Sequence, residues 1–303
     1  MRVFVTGASG FIGKHVIKSL SSAGHKIIAS RLRSAKTGNN QSNIKWLYGD
    51  LADIESFKHL LKNFNPDVLI HLAWEGIPNY SKSISKKNLE NSIYLIDYIL
   101  DNTTCKKILV SGSCWEYGKN NGICYESDRV IIDSYFTWAK HSLHQYLSLK
   151  CIEDGVILNW FRIFYIYGPG QREKSLIPTL IKSISKSEIP QINTPNNKND
   201  FIYVEDVAEA FARAVEVDLP SGVYNVGSGY GSKVYDVCRI VEKELLGSEN
   251  ISSKVLENST QVEGLNFWSE MSKTKQALGM KFDTSLKDGI RQHILSMNLD
   301  AVT

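Results

Sequence analysis

The stretch "RVFVTGASGFIGKHV" (residues 2–16) runs from a short apolar segment through three regularly spaced glycines into an amphipathic segment. Glycine permits a tight turn, a close approach of the backbone to a pyrophosphate, and close contact between helix and sheet. The amides at the start of the following helix add hydrogen-bond donors for an anion. The stretch therefore predicts a strand, a dinucleotide-binding turn and a helix, with a merely structural turn as the alternative. We expect the dinucleotide to contact Gly7, Ser9, Gly10, Phe11, Ile12 and Gly13.

Short apolar runs continue along the chain and alternate with segments of helical periodicity. The apolar runs are "RVFVT" (2–6), "KIIAS" (26–30), "IKWLY" (44–48), "DVLIHLA" (67–73), "KKILVSG" (106–112) and "GVILNWFRI" (155–163), and the helical patterns lie at about 11–23, 53–63, 84–101 and 135–152. Alternating strands and helices are typical of a parallel sheet that is covered by helices on both faces. The sequence therefore predicts an α/β fold with a Rossmann-type doubly wound parallel sheet.

The rhythm changes after "YGPG" (167–170), where shorter elements and polar loops follow. This part predicts a smaller mixed α/β domain for substrate binding, packed on the carboxyl edge of the sheet, where doubly wound folds bind ligands. The segment "FIYVEDVAEAFARAVE" (201–216) predicts a strand and a helix that return to the main sheet. We therefore expect a dinucleotide-binding domain from residues 1–166 plus about 201–226, and a substrate domain from about 167–200 plus 227–303.

The composition narrows the class of protein. The 303 residues are 43% apolar and 22% charged, with a net charge of +3 and scattered Lys and Arg, so nucleic-acid binding is not expected. Five cysteines form neither a C-x-x-C pair nor a cluster with histidine, which predicts reduced thiols and no metal site. No apolar run is long enough to cross a bilayer, and the first strand begins too early for a signal peptide. We expect a cytoplasmic protein that does not bind membranes.

The end of the second predicted strand indicates which dinucleotide binds. An acidic residue is usual there in sites for NAD(H), because a carboxylate holds the 2′-hydroxyl of the adenosine ribose. In this chain the strand ends in "IIASRLRS" (27–34), with Arg31 and Arg33 and no carboxylate. Arginine can bind a 2′-phosphate through charge-assisted hydrogen bonds. We therefore predict NADP(H) as the cofactor, with a solvated basic turn as the alternative.

The chain resembles the extended short-chain dehydrogenase/reductase family, in particular its nucleotide-sugar branch of epimerases, dehydratases and ketoreductases. The resemblance covers nearly the whole chain and depends on "TGASGFIG" (6–13), "GDL" (49–51), "HLAW" (71–74), "SGSCWEYG" (111–118), Lys140, "YGPGQ" (167–171), "DFIYVEDVA" (200–208) and "GVYNVGSG" (222–229). It implies an enzyme whose partner is a nucleoside-diphosphate sugar. We also expect a homodimer.

The resemblance implies roles for individual residues. Asp50 and Leu51 would flank the adenine, and Ala73 would lie beside the ribose and pyrophosphate. Ser113 would hydrogen-bond the reacting sugar oxygen. Lys140 would hold the nicotinamide ribose and lower the pKa of a tyrosine four residues earlier, since a nearby ammonium favours phenolate.

That tyrosine is replaced in this chain by Phe136. Residues i and i+4 share a helix face, so Phe136 lies on the Lys140 face, while Tyr135 points roughly 140° away from it. Phenylalanine keeps the ring and loses the proton. We predict a catalytic set of Ser113, Lys140 and the position of Phe136, and we interpret Phe136 as an engineered Tyr→Phe change that silences the site. A natural protein that has lost or relocated its acid is the alternative.

Further departures from the family narrow the chemistry. Sugar-nucleotide 4,6-dehydratases resemble one another in an Asp-Glu pair directly after the catalytic Ser or Thr, and here Cys114 and Trp115 stand in those places. The segments "EYG" (116–118) and "WAK" (138–140) are similar to bacterial reductases that make deoxysugars of surface polysaccharides. We therefore predict NADPH-dependent reduction of a nucleoside-diphosphate 4-keto-6-deoxyhexose at C4. The alternatives are an NAD(P)-dependent nucleotide-sugar epimerase and a catalytically silent NADP(H)-binding regulator.

The arginines that usually clamp the diphosphate of the sugar nucleotide are missing, with Asn199 before "DFIYV" and no Arg-Pro-Gly-Asp near the C-terminal "LG". Arg172 and Lys174 carry the right charge to replace them, although a solvated loop explains them equally well. Glu116 stands at a position that is commonly apolar in the family and would contact either the substrate or solvent. We predict substrate contacts from Trp74, Ser113, Trp115, Glu116 and Arg172.

Overall fold

The computed structural model describes residues 1–32, 42–257 and 264–297. Its strands are β1 (Arg2–Thr6), β2 (Lys26–Arg31), β3 (Ile44–Tyr48), β4 (Val68–His71), β5 (Lys107–Ser111), β6 (Asn121–Cys124), β7 (Ile157–Ile163), β8 (Tyr165–Tyr167), β9 (Lys198–Asn199), β10 (Phe201–Tyr203), β11 (Gly222–Val226), β12 (Ser232–Lys233) and β13 (Asn266–Ser269). Its α-helices are α1 (Phe11–Ser22), α2 (Lys58–Phe64), α3 (Lys82–Asn102), α4 (Tyr135–Glu153), α5 (Leu176–Ser185), α6 (Val204–Glu216), α7 (Val234–Leu246), α8 (Asn250–Glu257), α9 (Ser272–Leu278) and α10 (Leu286–Ser296). Short 3₁₀ helices cover Leu51–Ser56 and Cys114–Tyr117.

Seven of these strands form one parallel sheet in the spatial order β11-β7-β5-β4-β1-β2-β3. The chain order reverses at β1, which lies between β2 and β4, so a crevice opens at the carboxyl ends of these strands. The central strands are apolar and buried because helices cover both faces of the sheet. This arrangement confirms the predicted doubly wound α/β sheet.

Helices cover the two faces of the sheet in separate layers. On one face α1 packs against α6, and Leu20 and Phe211 belong to the core between these helices and the sheet. On the other face α3 packs against α4, and Ile99 and Leu147 belong to the second core. Full burial of a side chain of this size stabilises the fold by about 1.5–3 kcal/mol relative to exposure. The two cores therefore fix the position of the strands whose carboxyl ends border the crevice.

The prediction that residues 201–216 return to the main sheet is correct for the helix and wrong for the strand. Helix α6 packs on α1 against the main sheet, whereas β10 pairs in parallel with β8 in a separate two-stranded sheet. The strand that joins the main sheet is β11, which pairs with β7. The apolar run at 201–203 cannot reveal its partner, because a buried strand has the same composition in either sheet.

A smaller four-stranded sheet has the order β12-β9-β13-β6 and contains both parallel and antiparallel pairs, as the prediction of a mixed region requires. Its strand β6 comes from residues 121–124, within the segment predicted for the dinucleotide-binding domain. The smaller sheet therefore takes β6 from the first half of the chain and its other three strands from the second half. The division into two domains at the predicted boundaries stays a prediction.

The helix predicted at about 53–63 is divided into a 3₁₀ helix at 51–56 and α2. All five cysteines are buried free thiols, as the sequence predicts. None of the helices in the described ranges combines the length and the apolar character that a membrane span requires. The cytoplasmic location stays a prediction.

The buried carboxylate of Asp200 joins three segments beside the carboxyl edge of the main sheet. Its oxygens accept hydrogen bonds from Ser228 N and Ser228 Oγ at 2.6 Å each, and from Gly229 N at 3.2 Å. Ser269 donates to it through its amide at 2.9 Å and through its hydroxyl. The backbone carbonyl of Asp200 also accepts from Tyr165 N at 3.0 Å. The Asp200 side chain therefore joins the segment after β9 to the loop after β11 and to the last residue of β13.

We expect Asp200→Asn to lower the free energy of unfolding by about 2–4 kcal/mol, because a carboxamide offers one acceptor oxygen and turns an NH₂ group toward buried donors. Urea denaturation followed by circular dichroism measures the change. The exposed Asp53 provides the matched control, since Asp53→Asn should change stability by less than about 0.5 kcal/mol. Equal losses in the two variants would contradict this role of Asp200.

Candidate active site

The glycine turn lies between β1 and α1, which starts at Phe11 directly after Gly10. Gly7 has a positive φ of 65°, and a Cβ there would lie 2.8 Å from Ala73 N. A Cβ at Gly13 would lie 2.2 Å from Gly7 O. Both distances are shorter than a carbon atom allows, so glycine alone lets the turn, the helix and the loop after β4 pack this closely. Gly10 gives α1 no capping side chain, and the helix start therefore suits an anion.

A cavity of about 200 Å³, the Arg31 cavity, opens beside this turn at the ends of β1, β2 and β4. The predicted cofactor residues that line it are Gly7, Ser9, Gly10, Arg31, Asp50, Leu51 and Ala73. Asp50 Oδ1 accepts a hydrogen bond from Ala52 N at 2.9 Å and caps the following 3₁₀ helix. The structure therefore brings together, at one end of the crevice, the residues expected around the adenosine half of the cofactor.

Arg31 forms one wall of this cavity although its side chain is largely buried. Its guanidinium carbon lies 4.8 Å from the centroid of the Trp46 ring and 4.4 Å from that of the Tyr48 ring. Its Nη2 donates to Tyr48 Oη at 2.9 Å. These contacts hold a cation at the end of β2, where dinucleotide sites meet the adenosine ribose. Arg33, the other predicted residue, lies outside the described residues.

A second cavity of about 460 Å³, the Lys140 cavity, lies on the other side of the glycine turn. The predicted residues that line it are Gly7, Gly10, Phe11, Ile12, Gly13, Trp74, Ser113, Trp115, Phe136, Lys140 and Arg172. Gly7, Gly10 and Trp74 line both cavities, so the turn connects them. Two cavities joined at the start of a helix fit the two halves of a dinucleotide, with its pyrophosphate at the turn.

Lys140 reaches the second cavity from α4. Its Nζ donates to Ser111 O at 2.7 Å and lies 4.0 Å from the centroid of the Trp74 ring. The residue is 3% exposed, and burial lowers the pKa of its ammonium to about 7, while the Glu116 carboxylate acts in the opposite direction. A lysine with this pKa changes charge near neutral pH, as groups at functional sites often do.

Phe136 lines the same cavity as Lys140, as their spacing on α4 predicts. Its ring packs edge-on against Trp74, with centroids 5.6 Å apart, and its centroid lies 5.1 Å from that of Tyr80. The neighbouring Tyr135 is 50% exposed and lines a separate groove on the surface. The structure therefore places the apolar Phe136 ring on the Lys140 side of the helix and leaves Tyr135 outside the cavity.

The prediction that Glu116 contacts the substrate or solvent is wrong, because its side chain is fully buried. Its carboxylate accepts hydrogen bonds from Ser113 N at 2.8 Å and from Trp160 Nε1 at 3.0 and 3.2 Å. Arg162 Nε donates to it at 3.2 Å in a buried ion pair. A buried guanidinium requires a counter-charge, and the 3₁₀ turn after Ser113 brings Glu116 within its reach. The arginine inside the apolar strand "ILNWFRI" (157–163) is the sequence signal for this pair.

Ile77, Tyr80 and Tyr165 line the Lys140 cavity without having been predicted. The first two belong to the loop between β4 and α3, and the third lies in β8. Loops that follow the strands of a doubly wound sheet commonly carry ligand contacts, so the position of "GIPNY" (76–80) soon after "HLAW" was the available signal. No aspartate or glutamate is among the described residues that line this cavity.

We expect the pH dependence of stability to report the buried Lys140 ammonium. The unfolded chain keeps this proton up to about the ordinary lysine pKa of 10.5, and the folded chain only up to about 7. The unfolded state therefore binds more protons between these values, and stability rises with pH there. Relative to Lys140→Met, the free energy of unfolding of the unchanged protein should increase by up to about 1.4 kcal/mol per pH unit between pH 7 and 9.

Urea unfolding of both proteins at pH 7, 8 and 9 measures this gain, because the contributions of other titrating groups cancel in the difference. Lys45→Met, at an exposed position of β3, is the matched control for loss of a lysine. A difference in the free energy of unfolding between Lys140→Met and the unchanged protein that stays constant over this range would contradict the lowered pKa of Lys140.

The chain has relatives among enzymes of deoxysugar metabolism. It is 24% identical over 256 residues to dTDP-6-deoxy-L-talose 4-dehydrogenase (NAD(+)) of Aggregatibacter actinomycetemcomitans, covering 84% of this chain and 93% of that protein. It is 26% identical over 258 residues to CDP-abequose synthase of Salmonella muenchen, covering 83% of each. Among solved structures, UDP-glucose 4-epimerase of Thermotoga maritima with UDP-glucose matches 99% of this chain and 100% of that chain with a TM-score of 0.85. At 22% identity, that match shows a shared fold.

The sequence profile of the NAD dependent epimerase/dehydratase family matches residues 3–227. Apart from Arg2, the matched range contains the seven strands of the main sheet, and it includes the glycine turn, Ser113, Phe136 and Lys140. It covers more than half of the chain and supports a nicotinamide dinucleotide as cofactor. The chain therefore belongs to the NAD dependent epimerase/dehydratase family, in the nucleotide-sugar branch of the extended short-chain dehydrogenases/reductases.

Proposed function

We propose that the protein uses NADPH to reduce a nucleoside-diphosphate 4-keto-6-deoxyhexose at C4. The observation that carries this proposal is the lining of the Lys140 cavity. Ser113 and Lys140 both line it, and no carboxylate occurs among the described residues that do so. A dehydratase needs one group that removes a proton from carbon and another that protonates the leaving hydroxyl, and carboxylates usually take such roles. Cys114 and Trp115 stand in those places, which favours a reaction that requires no carboxylate.

The Phe136 ring is more compatible with reduction than with epimerisation. An epimerase must first remove the proton of a sugar hydroxyl and later return one, so it needs a base beside the reacting oxygen. A reductase would only have to protonate the carbonyl oxygen, since a bound reduced dinucleotide would supply the hydride. Without a hydroxyl at Phe136, an epimerase would need a substitute that both takes and returns a proton, whereas a reductase would need one that only donates it.

Ser113 and Lys140 have separate roles in the proposed reaction. Ser113 follows β5, caps the 3₁₀ helix Cys114–Tyr117 and lines the cavity, and we assign its hydroxyl to a hydrogen bond with the substrate oxygen that gains negative charge. We assign Lys140 to the nicotinamide ribose. To bind the ribose hydroxyls, its ammonium would either move away from the Trp74 ring or contact the ring and the ribose together. We assign the exposed Arg172 to the diphosphate of the sugar nucleotide, while Lys174 is not among the residues that line the cavity.

The choice of NADPH rests on Arg31, the cation that lines the cavity on the adenosine side. The related talose dehydrogenase is named for NAD(+), so the case for NADPH depends on this chain's own residues at the end of β2. A guanidinium packed against two aromatic rings is preorganised to bind a phosphate group.

A homodimer remains our proposal for the assembled protein. Leu149 and Ile152, near the end of α4, are 67% and 78% exposed, and Tyr94 on the adjacent α3 is also exposed. Exposed apolar side chains on two packed helices support contact with a second copy.

NADPH should bind roughly tenfold to a hundredfold more tightly than NADH, because a charge-assisted contact to the 2′-phosphate contributes about 1.5–3 kcal/mol. Titration followed by nicotinamide fluorescence measures both affinities. The double variant Arg31→Ala, Arg33→Ala should lose most of the preference, and Lys45→Ala at an exposed position of β3 should keep it. Equal affinities in the unchanged protein would refute the assignment.

Phe136→Tyr should raise kcat by about 10²–10⁴-fold and leave cofactor affinity nearly unchanged, because it returns a proton donor to the Lys140 face without altering the ring. NADPH absorbance is followed with dTDP-, UDP- and CDP-linked 4-keto-6-deoxyglucose as substrates. Tyr135→Phe, added to Phe136→Tyr, is the matched control and should leave turnover intact, since Tyr135 lies outside the cavity.

Two results of this experiment would favour the alternative functions. Interconversion of a sugar nucleotide without net loss of NADPH would indicate an epimerase. A Phe136→Tyr variant that folds and binds cofactor but turns over none of these substrates would indicate a silent NADP(H)-binding regulator.

A further inference from the structure

The proposed reduction needs a proton donor, and Phe136 cannot supply one. Among the described residues that line the Lys140 cavity, four belong to side-chain types whose ordinary pKa lies between about 8.5 and 10.4: Tyr80, Cys114, Lys140 and Tyr165. A serine hydroxyl is too weak an acid to serve alone. The position, contacts and exposure of these four side chains distinguish them.

Three of the four are poorly placed to give up a proton. Burial raises the pKa of the Cys114 thiol and of the Tyr165 phenol well above their usual ranges, and an acid with such a pKa transfers its proton slowly. Tyr165 is also enclosed by aromatic neighbours, with Trp115 at 6.2 Å between ring centroids. The ammonium of Lys140 already donates to Ser111 O and is covered by the Trp74 ring.

Tyr80 differs from these groups in position and exposure. Its ring centroid lies 5.1 Å from that of Phe136, with an angle of 57° between the rings. The Tyr80 ring therefore packs against the side chain at position 136, where the family carries its tyrosine. Tyr80 is 42% exposed, so water can return a proton to it after each turnover.

The loop between β4 and α3 holds Tyr80 over the cavity. Asn79 N donates to Gly76 O at 2.6 Å, and Asn79 Oδ1 accepts from Ser81 N at 3.0 Å. These bonds fix the backbone on both sides of Tyr80. Ile77 of the same loop also lines the cavity, so the loop forms one wall of the site.

We propose that Tyr80 is the proton donor of the reduction and replaces the hydroxyl that is missing at Phe136; this inference rests on the proposed function. In this step C4 of the keto sugar gains a hydride from the bound reduced dinucleotide, and the electron pair of the C=O π bond moves onto oxygen. That oxygen takes the proton of the Tyr80 phenol, and water then protonates the phenolate. One NADPH and one proton are consumed, and one alcohol and one NADP⁺ are formed.

The experiment compares Tyr80→Phe, Tyr165→Phe and Tyr135→Phe in the unchanged protein, with NADPH and the three 4-keto-6-deoxyglucose nucleotides. Tyr80→Phe should lower kcat by about 100-fold or more with little change in KM, because it removes the acid and keeps the ring. Tyr165→Phe should cost far less, and Tyr135→Phe should have no effect. In the Phe136→Tyr background the loss from Tyr80→Phe should shrink to about threefold or less, since position 136 then carries the acid.

The outcomes separate this inference from the proposed function. Turnover by Phe136→Tyr together with none by the unchanged protein would overturn the role of Tyr80 and leave the reductase assignment standing. A loss in Tyr165→Phe that equals the loss in Tyr80→Phe, or a Tyr80→Phe effect confined to KM, would also overturn it. No turnover by any variant would overturn the proposed function and the inference with it.

Discussion

The hydrogen atom in place of a side chain at Gly13 lets α1 begin directly beneath the turn that leaves β1. A Cβ there would lie 2.2 Å from Gly7 O, and a Cβ at Gly7 would press on the backbone of Ala73 at 2.8 Å. Any larger residue would push α1 away from the sheet and separate the loops after β1 and β4. Because those two loops border both cavities, this steric constraint decides whether a dinucleotide can lie across the sheet edge at all.

The catalytic side of the crevice depends on a buried charge pair. Arg162 stands inside β7, and its guanidinium is balanced by Glu116, whose carboxylate also holds the amide of Ser113. Removing one partner of such a pair strands the other in an apolar core, at a typical cost of about 3–5 kcal/mol. The Ser113 hydroxyl is therefore positioned by an electrostatic requirement of the core beneath it. Glu116 also favours the charged form of the buried Lys140, so the same carboxylate acts on both Ser113 and Lys140.

The aromatic side chains around Lys140 replace part of the usual polar site by an apolar one. Trp74 covers the ammonium and packs on Phe136, which in turn contacts Tyr80. A phenol moved from the helix to the loop after β4 would be nearer to solvent and attached to a more adaptable segment than α4. Proton delivery would then depend on how that loop meets the bound sugar nucleotide, which gives the substrate itself a part in assembling the site.

The sequence by itself determined the main sheet, because Val, Ile and Leu runs such as "RVFVT" and "KKILVSG" can be buried on both faces only in a parallel sheet between helices. It also determined the glycine turn and the shared face of Phe136 and Lys140, since both follow from local geometry. Tertiary structure alone decided that β10 pairs with β8, that Glu116 turns inward to Arg162, and that Tyr80 lies against Phe136. These are contacts between segments distant in sequence, 56 residues apart for Tyr80 and Phe136, and no local periodicity encodes which partner a buried strand, charge or ring will find.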